Sequence, residues 1–267
     1  MGRASQPGPR SLDVLSWIAR LGASTTGPVA GALGMSPATT YDHVSRLRAA
    51  GLLERWPTFA GDHLLAPTQS GWHLLGRPYP RSRPRPHEWE HTVMLAGIAA
   101  WLATTPTCTW WRAEREYLTS QPPAEDRGPD QWLMTYPGTD RHGQGVMLHR
   151  RADLMANLAG ALTAIEGERT QKSKVRLQAI LTGWGTALSR GDVDRVIYVV
   201  PDQSMHACIQ RAIETAATAA PALTTDAFMI LNTTQLDPHP VAGGHAGGGG
   251  HIDAERRAPA RAACEVG

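Results

Sequence analysis

The sequence predicts a two-domain chain of the mixed α/β (α+β) class. Three observations predict it. Residues 11–76 carry apolar residues at helical spacing, then two short strand-like runs. Residues 87–236 alternate helical segments with β-branched ones. Between them, residues 77–86 read RPYPRSRPRP, four prolines and four arginines in ten positions, which is an extended basic linker. The 267 residues fit one large domain or two small ones, and 42% hydrophobic residues suffice for a buried core. Residues 237–267 contain HPVAGGHAGGGGH and lack periodicity, so they read as a disordered tail. His239, His245 and His251 are read as part of that tail rather than as a metal-binding tract.

In the first domain, Leu12, Leu15 and Ile18 recur at helical spacing. A short helix from Pro28 to Leu33 stops at Gly34, a residue suited to a left-handed C-terminus. Ser36 and Pro37 then supply an N-cap and a first helical position. Thr40, Val44 and Leu47 form one buried stripe on that third helix, which ends at Gly51. Leu52–Trp56 and His63–Ala66 read as a hairpin around Ala60-Gly61-Asp62, and Thr68–Leu75 as a closing helix. Helix, short helix, capped helix and hairpin are the order of a winged helix-turn-helix. Such a domain places its third helix where the DNA major groove can receive it. Thr39, Tyr41, Ser45 and Arg46 lie off the buried stripe and are the expected DNA contacts, with Arg55 on the wing. The alternative for this face is a solvated helix in a protein-binding domain.

Charge agrees with a nucleic-acid reader. The whole chain is only +2, but residues 1–86 hold 10 Arg, no Lys and 4 acidic residues, a net +6, against −4 in the remainder. Three scattered cysteines, Cys108, Cys208 and Cys264, imply neither a disulfide framework nor a structural zinc site. No signal-like core opens the chain, and no apolar run is long enough to span a bilayer, so a cytoplasmic protein without membrane contact is expected. No P-loop pattern or serine nucleophile elbow is present.

In the second domain, His87–Leu102 reads as a helix and Thr109–Tyr117 as a strand. Residues 119–150 are loop or a hairpin excursion. Arg151–Met155 and Leu162–Glu168 are two strands around a turn near Asn157–Gly160. A helix capped by Thr170 follows, then a strand at Arg195–Val200, a helix at Gln203–Ala219 and a strand at Phe228–Asn232. This αβββαβ order matches the core of restriction-endonuclease-like folds, the PD-(D/E)XK type. Those folds carry an Asp on the second core strand and Glu-x-Lys, or a variant of it, on the third. Here Asp153 lies in RRADLM, and Glu166-Gly167-Glu168 in AIEGERTQKSK.

Period-two geometry places Glu166 and Glu168 on one strand face, beside Asp153 on the neighbouring strand. Clustered carboxylates raise one another's pKa unless a cation compensates them. Oxygen donors suit Mg²⁺ or Mn²⁺. Asp153 and Glu166 are therefore the expected metal ligands, and Glu168 and Lys172 the expected catalytic groups. Glu168 stands where lysine is common, and Lys172, at the start of the next helix, would supply the missing ammonium. Only two lysines occur against 24 arginines, and they are Lys172 and Lys174. Arginine cannot replace lysine in proton transfer. Asp130, in Pro129-Asp130, is a rival ligand but lies far from Glu166 in a loop-like stretch.

With these motifs in place, the chain resembles the actinobacterial replication-relaxation family of plasmid and mobile-element proteins. The resemblance rests on the winged-helix stretch, EHTVMLAGIAAWL with His91, WWRAERE with Glu114, RRADLM, and AIEGERTQKSKVRLQAIL. It implies a DNA partner and DNA nicking or relaxation during plasmid replication or mobilisation. The alternative is a non-catalytic DNA-binding regulator with a degenerate nuclease fold. Winged-helix proteins that read palindromes are often dimers, so a homodimer is the candidate assembly while the sequence leaves the oligomeric state open. Ala152 stands where the family pattern has proline, and Trp184 where a tyrosine is more usual, which excludes a covalent tyrosine at that position. His91 and Glu114 read most simply as a core histidine and a surface glutamate.

Overall fold

The computed structural model describes residues 7–58, 63–76, 85–116, 133–139, 142–219 and 224–236. The turn at 59–62, most of the linker, Asp130 and the tail lie outside the described residues. The chain is a mixed α/β protein in two parts.

The first part runs α1 (Pro9–Leu21), α2 (Thr26–Leu33), α3 (Pro37–Ala49), β1 (Leu53–Pro57), β2 (His63–Pro67) and α4 (Gln69–Leu74). Val14, Leu15 and Ile18 of α1 meet Val44 and Leu47 of α3 in one core. Gly34 adopts φ 59° and ends α2 in the left-handed region. Ser36 caps α3 by accepting from the Thr39 N–H at 3.1 Å, and Pro37 opens the helix. The buried stripe is Thr40, Val44 and Leu47 as the spacing predicts, and every other α3 side chain except His43 is exposed. β1 and β2 pair antiparallel, with Trp56 opposite Leu64.

The second part opens on α5 (Trp89–Thr104) and β3 (Cys108–Ala113), then β4 (Leu133–Thr139) and β5 (Gly145–Arg151). β6 (Leu154–Leu158), β7 (Ala161–Gly167), α6 (Lys174–Arg190), β8 (Arg195–Val200), α7 (Gln203–Ala219) and β9 (Phe228–Asn232) complete it. The central sheet has the order β3-β6-β7-β8-β9. Its first three strands are antiparallel, whereas β7, β8 and β9 are parallel. Parallel neighbours need a crossover, and α6 and α7 supply the two that are required. Alternation along β8 divides the core. Val196, Tyr198 and Val200 join the cluster under α6 and α7, while Ile197 and Val199 join the one under α5.

α5 is apolar on most sides because it is covered on most sides. It lies between the sheet and the first part, and one hydrophobic cluster runs from Val14 and Val29 through Ile98 to Leu154 and Ile165. A polar contact joins the parts as well. Arg20 of α1 lies 3.4 Å over the Trp111 ring, donates to Trp111 O at 2.6 Å and to Glu116 Oε1 at 3.0 Å. β4 and β5 form a separate two-stranded ribbon against α6. Gly183 permits that approach: a Cβ there would lie 2.8 Å from Thr135 O. No described helix is long and apolar enough to cross a membrane.

Three element boundaries differ from the sequence expectation. The strand expected at Arg151–Met155 is split: Arg151 ends β5, Asp153 sits on a bend, and β6 starts at Leu154. The reversal is tight, Ala159 and Gly160 taking φ 52° and 83°, so β6 runs on to Leu158. The strand expected to reach Tyr117 stops at Ala113, where the Glu116 carboxylate accepts from the Ala113 N–H at 3.0 Å and draws the chain into a helical turn. Ser173, not Thr170, caps α6, so Lys172 precedes the helix rather than lying on it.

Candidate functional site

The expected site residues gather at one end of the central sheet, where β7 runs out and the bend before β6 comes alongside. Glu166 is the penultimate residue of β7 and is 1% exposed. Its neighbour in register on β8 is Tyr198, so both side chains leave the same face of the sheet. Asp153 sits beside them. Its Oδ2 accepts from the Gly167 N–H at 2.8 Å, and its Oδ1 lies 3.5 Å from His91 Nε2 on α5. Its carbonyl accepts from the Glu114 N–H at 3.0 Å.

Both Glu166 oxygens are held by one residue. Arg150 of β5 donates from Nε to Oε1 at 3.0 Å and from Nη2 to Oε2. Such a fork is the strongest geometry for a guanidinium on a carboxylate. Glu168 lies one residue past β7, its N–H bonded to Val199 O at 2.8 Å, and its carboxylate receives the Lys172 ammonium. Glu168 is buried, and the Lys172 side chain is 15% exposed. Lys174, by contrast, opens α6 facing solvent.

The electrostatics follow from burial. Burial pushes the Glu166 carboxyl up, Asp153 adds to that, and Arg150 opposes it. Asp153 suffers the same burial, but the His91 hydrogen bond and the charges of His91 and Arg150 outweigh it and hold its pKa below the usual value. His91 is correspondingly raised, first by its bond to Asp153. Burial lowers Lys172 to about 8, with the Arg150 charge acting in the same direction. Partial burial raises Glu114, with the Asp153 charge adding to it. The Tyr198 hydroxyl is buried without a hydrogen-bond partner among the described residues, and burial beside Glu166 raises its pKa well above the ordinary phenol value.

The structure therefore brings Asp153 and Glu166 together and places the Glu168–Lys172 pair beside them. It does not merge all three carboxylates into one ligand set. Among the described residues, no three His, Cys, Asp or Glu side chains are grouped to hold one ion. Asp153 is not on a strand, and Lys172 is not at a helix start, as the sequence led one to expect.

Sequence reasoning missed two members and undervalued a third. Arg150 carried a usable signal, because Val146, Leu148 and Arg150 share the half-buried face of β5. Tyr198 had one too, as the only non-aliphatic residue in the core run VIYVV. His91 was passed over as a core histidine, and it is the partner of Asp153 across α5.

The second expected surface is α3. Thr39, Tyr41, Ser45 and Arg46 are all exposed, Tyr41 at 56%. Thr39 is partly committed, since its hydroxyl lies 2.8 Å from the Ser36 Oγ of the cap. Arg55 is exposed on β1, and its Nη2 lies within hydrogen-bond reach of the His63 ring nitrogens on β2.

No family model matches the chain, and no curated protein matches it. Among solved structures, it is similar to the crystal structure of protein VC1899 from Vibrio cholerae, at 12% identity and a TM-score of 0.32 over 86% of this chain. The chain spans about half the length of that protein, 55% of it.

Proposed function

We propose that this chain is a DNA-binding protein that acts on a phosphodiester bond, with Mg²⁺ or Mn²⁺ as cofactor. In this reading residues 11–76 are a winged helix and residues 87–236 a restriction-endonuclease-like domain. The resemblance noted above points to nicking in plasmid or mobile-element replication or mobilisation, by a cytoplasmic protein that pairs as a homodimer on palindromic DNA. The observation that carries the reading is that Asp153 and Glu166 meet at the end of β7, with the Glu168–Lys172 pair beside them, both glutamates being buried. Burying carboxylates is costly, and groups perturbed by burial together with specific charge partners concentrate at functional sites.

The donors fit a small hard cation. Mg²⁺ is held by one or two carboxylates and takes its remaining ligands from water and phosphate. Asp153 and Glu166 provide two such carboxylates, and the unpartnered Tyr198 hydroxyl lies on the same sheet face. When bound, the ion supplies Lewis acidity toward the phosphate oxygens. The chain's own groups then have definite tasks. The Gly167 N–H fixes Asp153 Oδ2, and His91 fixes the other oxygen. Glu168 holds the Lys172 ammonium in place, and with a pKa of about 8 that Nζ keeps its proton at neutral pH and neutralises charge on the phosphate. The exposed face of α3, with Arg55 from the hairpin, positions the duplex.

A second reading, a DNA-binding regulator that does not cut, is favoured by the same Arg150 fork, which leaves no Glu166 oxygen free. A supercoiled-plasmid assay with Mg²⁺ or Mn²⁺ separates the two. Cleavage by wild type that Asp153→Ala, Glu166→Ala or Lys172→Ala abolishes supports the enzyme. Retention of the plasmid in gel shifts without conversion supports the regulator.

A further inference from the structure

Arg150 has a task that the reading above leaves open, and the inference rests on that reading. Glu166 is already neutralised as it stands, because Arg150 forks both of its oxygens. A divalent cation that takes Glu166 as a ligand must first displace the group already there.

Three observations identify which group withdraws. Arg150 blocks both oxygens that the ion would need. It is carried by β5, which among the described strands pairs with β4 alone and not with the central sheet. Its side chain is 22% exposed, so it has an outlet that Glu166, at 1%, lacks. Lys172 is held by a different carboxylate and need not move.

We propose that Arg150 is the built-in stand-in for the divalent cation. It neutralises Glu166 before the ion arrives, is displaced by the ion, and then presents its fork to a DNA phosphate. A guanidinium matches the paired oxygens of a phosphate as well as those of a carboxylate, so the released side chain is suited to that second partner. The buried Tyr198 hydroxyl, left without a partner while Arg150 occupies Glu166, is a ready donor to the carboxylate once the fork leaves.

The test uses the full chain and Mn²⁺ alone, with binding read by calorimetry and by the electron paramagnetic resonance of free Mn²⁺. Arg150→Gln removes the competitor and is expected to bind Mn²⁺ about tenfold or more tightly than wild type. Arg150→Lys keeps the charge but loses the fork, and is expected to fall between the two. In EDTA, Arg150→Gln leaves Glu166 buried without a counter-charge, so its melting temperature drops, and Mn²⁺ restores it. Asp153→Asn is the control that removes a ligand. If Asp153→Asn loses Mn²⁺ while both Arg150 variants bind it no better than wild type, the metal site stands and the role of Arg150 is overturned. If wild type and both Arg150 variants fail to bind Mn²⁺, the metal reading fails and takes this inference with it. If Arg150→Gln does not fold in either condition, the affinity of Arg150→Lys decides: tighter than wild type supports the exchange, and equal affinity overturns it.

Discussion

The two halves of the molecule place their polar residues in opposite ways. On α3 the polar side chains stand in solvent with few partners, and what is buried beneath them is apolar except for Thr40. At the end of the central sheet the polar side chains are mostly buried and paired: His91 and Arg150 reach Asp153 and Glu166 from other elements, and Lys172 reaches Glu168 from four residues further on. The contrast separates two kinds of site. A surface that awaits a partner costs the fold little. A preformed charged cluster is part of the fold and must be neutralised even when nothing is bound.

The largest expected difference between the halves is in stability. Glu166→Ala strands the Arg150 guanidinium in a mostly buried position, which costs about 3–5 kcal/mol. Arg46→Ala, on the exposed face of α3, changes stability by less than about 0.5 kcal/mol. Urea unfolding at neutral pH checks both. Equal midpoints would mean that the cluster is not integral to the fold, and the contrast between the halves would collapse.

Next in size is the bond that ties the halves together. Arg20 joins α1 to Trp111 and Glu116 at the end of β3, and the Glu114 N–H next to it holds the Asp153 carbonyl. Removing a hydrogen bond to a charged group costs about 1.5–3 kcal/mol, and a partly exposed one stands at the lower end. Arg20→Ala and Glu116→Ala should each destabilise by about that amount, and the double variant by less than the sum of the two, because the ion pair they share is lost only once. Additive losses would show that the two residues act separately.

These cases show why the sequence disclosed one half better than the other. Ser36, Pro37, Gly34 and the Thr40–Val44–Leu47 stripe are local signals. Capping, a left-handed stop and a helical period are set by residues within one or two turns, so α3 and its exposed face were readable from the chain alone. Asp153, Glu166 and Lys172 were readable as residue types, but their surroundings were not. The fork on Glu166 comes from a strand 16 positions back, and the partner of Asp153 from a helix on the other side of the sheet. The boundary errors share this cause. Thr170 and Ser173 are both fair caps, and only packing of α6 on the sheet selects the second. Asp153 looked like a strand residue because Arg151 and Leu154 both are, and nothing local marks the step from the ribbon to the central sheet.

A third effect is read in pH. Burial lowers Lys172 to about 8 from an ordinary value of 10.5, so the folded protein holds this proton less tightly than the unfolded chain does. The unfolded chain therefore binds more protons between about pH 8 and 10.5, and stability should rise with pH across that window. Lys172→Met should flatten the rise. Activity should move the other way. If the chain cleaves DNA as proposed, the ammonium is the useful form, so cleavage should fall about tenfold per pH unit above pH 8. Lys172→Arg, which stays charged, should remove that decline from whatever activity remains. A rate that instead increases above pH 8 would make Lys172 a base, and the assignment of its task would have to be reversed.

The smallest effect concerns the open half, and it is visible only with DNA present. Arg46 projects from α3 without a described partner, so its loss leaves the folded protein almost unchanged. If it meets a phosphate, Arg46→Ala weakens binding to every duplex alike and lowers the slope of log affinity against log salt by about 1. If it meets a base edge, the loss is about 1–3 kcal/mol on one sequence and less on others, with the slope nearly kept. Titrating a fluorescent duplex at several salt concentrations distinguishes these outcomes. A variant indistinguishable from wild type on both counts would place the DNA elsewhere than on α3. In the proposed function the cluster in the second half would then have to meet DNA without that helix.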